Sequence, residues 1–187
     1  MRKFVSGSML VVLLLTSMFV IAPTAMAEET TCRGTIGART VDNLRVPDGA
    51  SCTLNGTRVK GTIKVESNAT LKATNVRVVG NIQAKNHKLV TVADSVVGGS
   101  IQIKQGGVYR VTDTDVTGSI QADDNRGASR LTNNDVNQDV QVFKHRNGIA
   151  INGNQIDGNL QCKENVPAPT GGNNVVQGNK EDQCRRL

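Results

Sequence analysis

The sequence predicts an all-β, single-domain parallel β-helix (solenoid), right-handed, with about seven coils of 19–20 residues, and three observations predict it. The first is an internal period: following the isoleucine of a recurrent Gly-x-Ile-Gln motif gives Leu44, Ile63, Ile82, Ile101, Ile120, Val140, Leu160 and then Lys180, in steps of 19, 19, 19, 19, 20, 20 and 20. The second is that apolar and polar residues alternate inside each unit, as in Ile82-Gln83-Ala84, between short Gly/Asn/Asp/Thr clusters, which is the pattern of strands bounded by turns. The third is size. A unit this short cannot bury its own apolar side, whereas stacked units bury it on one another.

In chain order, residues 1–27 read as a secretory signal peptide: Arg2 and Lys3 precede the apolar run "MLVVLLLTSMFVIA", and the small-x-small pattern Ala25-Met26-Ala27 follows. That run is short for a membrane span and has no basic stop-transfer flank. The expected mature chain starts near Glu28, has no membrane span, and is secreted to the extracellular space, the periplasm or the cell envelope. "EETTC" before Cys32 lacks the small apolar residues that lipid attachment requires. Residues 28–51 are the expected N-terminal cap and first coil, 52–162 the regular coils, and 163–187 a C-terminal cap in which "KENVPAPTGGNN" interrupts the last winding and Lys180 stands where an aliphatic belongs.

Beyond the leader the only aromatic rings other than two histidines are Tyr109 and Phe143, so the core must be aliphatic. Further apolar columns repeat with the same steps: Val59, Val78, Val97, Val116, Val136, Ile156, Val176; Leu54, Ala73, Val92, Val111, Leu131, Ile151; and Cys52, Leu71, Val90, Tyr109, Ser129, Ile149. A glycine column (Gly61, Gly80, Gly99, Gly118, Gly158, Gly178) marks a bend where a residue without Cβ is favoured, and Gln138 in that column shows that positive φ is not obligatory there. Uneven apolar spacing within a coil favours a right-handed helix over the left-handed hexapeptide type.

Four cysteines, an even count in an exported chain, read as two disulfides. Cys32 and Cys52 lie near one end and Cys162 and Cys184 near the other, so the expected pairs are Cys32–Cys52 and Cys162–Cys184, one at each end of the stack. Capped ends argue for a monomer over head-to-tail polymers. The short paired spacings of a zinc site are absent, and neither a metal nor a cofactor is expected. The formal net charge of +6 falls to about +4 without the leader, which favours polyanions mildly. Nucleic-acid recognition would need denser charge and stacking rings.

The winding V-x-G-[NS]-I-Q over residues 57–161 resembles the V-x-G-x-I-x-A winding of bactofilins, cytoplasmic filament formers with a small right-handed β-helix; the leader and cysteines depart from them. The front "CRGTIGARTVDNLRVPDGASCTLNGTRVKG" and the tail "DGNLQCKENVPAPTGGNNVVQGNKEDQC" more closely resemble small secreted bacterial β-helix proteins of uncharacterised function. That resemblance implies the fold and export, and no chemistry.

On the outside, Gln83, Gln102, Gln121, Gln141 and Gln161 continue a column begun by Lys64, flanked by Thr62, Asn81, Ser100, Ser119, Asp139 and Asn159. Such a ladder either bonds to itself, as stacked amides do, or presents hydrogen-bonding groups to an extended polymer. Lys72, Arg110 and Arg130 share a second outward column, and Lys85, Lys104 and Lys163 a corner interrupted by Asp123. Asp94 and Asp113 fall in a turn column with Asn75 and Asn133, while Asp115 and Asp135 share an adjoining one; turn chemistry explains such residues, with calcium or paired-carboxylate catalysis as sharper readings. His87 and His145, in "KNHK" and "FKHRNG", read as surface residues. Together these features predict an exported non-catalytic structural or binding protein contacting envelope or extracellular polysaccharide through its ladders. The alternative is a small polysaccharide-active lyase or hydrolase using Asp113, Asp115 and Asp135.

Overall fold

The computed structural model describes residues 28–187, and the leader read at residues 1–27 lies outside the described residues. The described chain has strands and turns and no helix. Its strands form three sheets, all parallel: a nine-stranded sheet holding the glutamine column, here the glutamine sheet, and two eight-stranded sheets, here the second (from Thr35–Ile36 to Thr170–Gly172) and the third (from Thr40–Val41 to Val175–Val176). Each winding contributes one strand to each sheet in turn, and the stack makes eight windings, close to the seven expected.

The register follows the period. Ile63, Ile82, Ile101, Ile120, Val140 and Leu160 pair in sequence across the glutamine sheet, and Val59, Val78, Val97, Val116, Val136 and Ile156 do so across the third. All of these side chains are buried. Burying each aliphatic side chain is worth about 1.5–3 kcal/mol, so these aliphatic columns supply most of the packing, with Tyr109 the one Phe, Tyr or Trp ring that is fully buried among the described residues.

The change of period from 19 to 20 has a local cause. In the fifth winding two residues lie between Gly106 and Tyr109, and in the next winding three lie between the register-equivalent Asn125 and Ser129. The added residue sits at the corner between the glutamine sheet and the second sheet. There Arg126, Arg146 and Val166 form a short file of isolated parallel bridges. Because the corner absorbs it, every later strand keeps its register.

Two further findings concern the ends. The first winding is compact, its strands Glu29–Thr31, Thr35–Ile36 and Thr40–Val41 being followed by Asn43–Val46, which pairs with Glu29–Thr31; a step of 14 from Thr30 to its partner Leu44 lies off the period. At the other end the Pro/Gly-rich segment does not interrupt the winding: Ala150 pairs with Thr170, Gln155 with Val175 and Leu160 with Lys180. The last winding then closes with turns that bury Cys184 and Leu187, and Lys180 Nζ donates to the Leu187 carbonyl oxygen. Cys32 is joined to Cys52 and Cys162 to Cys184, with Cα separations of 5.5 Å and 5.2 Å, so each disulfide ties an end of the bore.

The glycine column excludes a Cβ, as expected, and the structure shows what a Cβ would strike. None of its members adopts positive φ, and a Cβ on Gly80 would meet the Gly61 carbonyl oxygen at 2.7 Å, one on Gly99 the Gly80 oxygen at 2.8 Å, and one on Gly178 the Gly158 oxygen at 2.7 Å. Winding lies on winding too closely for a side chain. The left-handed conformation is taken instead by the turn columns, Asn75, Asp94, Asp113 and Asn133 (φ 50–54°) and Asn86, Gln105, Asp124, Lys144 and Glu164 (φ 50–59°), where asparagine and aspartate are the side chains best suited to it.

Candidate functional site

Strand alternation turns Ile82, Ile101 and Ile120 into the bore and the intervening glutamines outward, where they are half-buried by their neighbours above and below. Their amides form one continuous, unidirectional chain. Gln83 Nε2 donates to Gln102 Oε1 (3.1 Å), Gln102 to Gln121 (3.3 Å), Gln121 to Gln141 (3.3 Å), Gln141 to Gln161 (2.8 Å), and Gln161 to Glu181 Oε2 (3.0 Å). Every donor points toward the C-terminal end. The chain of dipoles therefore has a carboxylate at its donor end, and the cationic Lys64, paired in register with Gln83, beyond its acceptor end. Each amide spends one of two N–H groups on the ladder, and every one after Gln83 also a lone pair, leaving hydrogen-bonding capacity facing outward.

The flanking polar column stitches windings together. Thr62 N–H donates to Asn43 Oδ1, Ser100 N–H to Asn81 Oδ1, Ser119 N–H to Ser100 Oγ and Asn159 N–H to Asp139 Oδ1, at 2.7–3.1 Å.

Near the N-terminal end this wall opens into a groove of about 680 Å³ lined by Arg45, Asp48, Lys64, Glu66, Gln83, Lys85, Gln102 and Lys104 among others. Arg45 makes a two-point contact with Glu66, Nε to Oε1 at 2.7 Å and Nη2 to Oε2 at 3.2 Å. The hydrogen bonds from that guanidinium hold the Glu66 carboxyl below its ordinary range, and the carboxylate in turn raises Arg45. Asp48 Oδ1 accepts the Ser67 N–H at 2.9 Å. Lys64, Lys85 and Lys104 are exposed, and among the described residues none forms an ion pair.

The other expected columns are where the period placed them. Arg110 and Arg130 pair in register, with Thr91 between Arg110 and Lys72. Lys85 and Lys104 pair, followed by Asp123, Phe143 and Lys163. Asp115 and Asp135 are exposed register neighbours on the third sheet, whereas Asp113 belongs to the turn column and accepts a hydrogen bond from Asn133 Nδ2 at 3.2 Å. Among the described residues no group of three or more His, Cys, Asp or Glu side chains is arranged to hold a metal.

The histidines are not surface residues. His87 and His145 are 2% and 1% exposed, in an inward corner column shared with Gly106, Asn125 and Asn165. The His145 Nε2 lies 2.9 Å and 3.0 Å from the Gly127 and Gly148 oxygens, and its ring meets Tyr109 edge-on at 5.5 Å. Neither His87 nitrogen has a hydrogen-bond partner, and burial lowers its pKa from 6.5 to about 4.

A second inward ladder escaped the sequence reading. Buried Asn134, Asn154 and Asn174 donate Nδ2 to the Val111, Leu131 and Ile151 oxygens (2.9–3.1 Å), and Asn134 and Asn154 also bond to the next asparagine's Oδ1 at 2.8 Å. The signal was the column Val76, Ser95, Thr114, Asn134, Asn154, Asn174, one residue after the turn column.

The fold and its faces define a disulfide-closed parallel β-solenoid with an amide-laddered wall. No protein-family model, curated protein or solved structure matches the chain.

Proposed function

We propose that this protein is an exported, non-catalytic binding or structural module, akin to small secreted bacterial β-helix proteins, that lies against an extended extracellular or envelope polysaccharide through its glutamine wall. The observation that carries the reading is the continuity of that wall: five amides in one unidirectional row, each with spare hydrogen-bonding capacity, leading into the groove. A row repeating at about 4.8 Å suits a ligand that is itself extended and repetitive. Two disulfides are consistent with an oxidising compartment outside the cytosol, and among the described residues no helix is long and apolar enough to cross a membrane.

The test is retention of the mature chain on insoluble cell wall, chitin and cellulose, beside a Gln83→Ala/Gln102→Ala/Gln121→Ala variant whose fold is verified by circular dichroism. Loss of three outward amides is expected to weaken retention on the preferred polymer roughly tenfold. Equal retention of the folded variant would assign the ladder to stability alone.

A further inference from the structure

We infer that the polymer received by this wall is anionic, a linear polysaccharide with charged groups along its chain, and that its charges seat on Lys64, Lys85 and Lys104. The inference rests on the binding role proposed above and adds the chemical class of the ligand.

The three lysines come from three successive windings. Lys85 pairs in register with Lys104, and Lys64 pairs with Gln83, two residues before Lys85 on the same strand. Like charges directly opposite on neighbouring strands repel, and Asp123, the acid in register with Lys104 on its other side, stands opposite only one of the two. The acids of the groove do not relieve the repulsion, because Glu66 is engaged by Arg45 through both oxygens and Asp48 accepts a backbone N–H. The basic run is also bounded: the next member of the corner column is Asp123. A ligand carrying anions at intervals near the spacing of the windings satisfies all three ammonium groups at once, and Gln83 and Gln102 beside them offer donors and acceptors to its hydroxyls. No aromatic ring lines the groove, so the stacking platform that single-stranded nucleic acid uses is missing.

The experiment titrates the mature chain with polygalacturonate, dextran sulfate and neutral dextran by calorimetry at low and physiological salt, and repeats cellulose retention. A Lys85→Gln/Lys104→Gln variant is compared with Arg110→Gln/Arg130→Gln, which removes equal charge from the second sheet. Binding to a charged polymer, weakened about tenfold by the lysine variant and by added salt but little by the arginine variant, is the expected result, and preference between the two polyanions identifies the anion as carboxylate or sulfate. Equal weakening by both variants would reduce the effect to net charge and overturn the assigned seat. Binding to neutral polymer or cellulose with no lysine dependence would overturn the anionic class and leave the wall reading standing. Absence of binding to every polymer would remove both.

Discussion

His87 sets a limit on how much acid the fold withstands. Its ring fills space left by Gly106, where a Cβ would come within 2.0 Å of Nδ1, and burial penalises a proton added there. The folded pKa, about 4, lies below the ordinary 6.5, so between those values the unfolded chain binds the proton more readily. The stability is fully present above pH 6.5 and is lost as pH falls toward 4; at pH 4.5 the loss reaches about 2–3 kcal/mol. His145, also lowered by burial, adds in the same direction. Denaturant unfolding at pH 7 and pH 4.5 should show a His87→Phe variant losing less stability than the parent by about that amount, and parallel pH profiles would count against a buried neutral imidazole. Sequence reading placed this residue outside because "KNHK" is polar throughout and period-two alternation is silent at corners. Facing direction there depends on turn geometry, and the left-handed Asn86 is what turns His87 inward.

Among elements, the strands were legible and the joints between them much less so. A strand faces the bore on alternate residues, and a stack repeats that choice winding after winding, so the columns through Leu54, Val59 and Ile63 could be read by addition. The same arithmetic located Gln83 to Gln161 and the Lys85–Lys104 pair. It could not set the pairing of the first winding within residues 28–51, whose step of 14 breaks the period, nor find the buried Asn134–Asn154–Asn174 ladder, because asparagine beside a turn has an ordinary local explanation. It read the bend as a place for a residue without a Cβ but not what a Cβ would strike there, because no single winding reveals how closely its neighbour lies. The structure makes that close approach testable. Gly80→Ala drives a Cβ to 2.7 Å from the Gly61 oxygen, whereas Gly34→Ala meets nothing within 4 Å. Thermal melts should show a cost of about 1–3 kcal/mol for the first and within about 0.5 kcal/mol for the second; equal costs would discount close approach as the reason for the column.

As a whole molecule, the solenoid must protect two ends where strands and bore would otherwise lie open. The C-terminal end is closed by Cys184 and Leu187 folded over the last winding, with Gln183 bonded to Asn165 through both its oxygen (3.0 Å to Nδ2) and its nitrogen (2.9 Å to the backbone oxygen). The Cys162–Cys184 bridge spans 22 residues, so a Cys162→Ser/Cys184→Ser variant should lose about 3 kcal/mol in denaturant unfolding. Amide exchange should quicken first over residues 180–187. Exchange that quickened evenly along the stack would mean that the bridge holds more than the cap. The even cysteine count and their grouping made both pairs readable. The ladder partners of Gln183 were not, because they depend on how the final turn crosses the end.

The corner carrying Arg126, Arg146 and Val166 has a consequence for how such a molecule changes. Strands in register cannot gain a residue without reversing every side chain beyond it, yet this corner took one in three successive windings and passed none of the disturbance on. It is an expansion joint. Relief on an otherwise regular wall is easiest to add there, and a guest peptide grafted between Arg126 and Ser129 would stand at a rim of the glutamine sheet while the stack beneath kept its alignment.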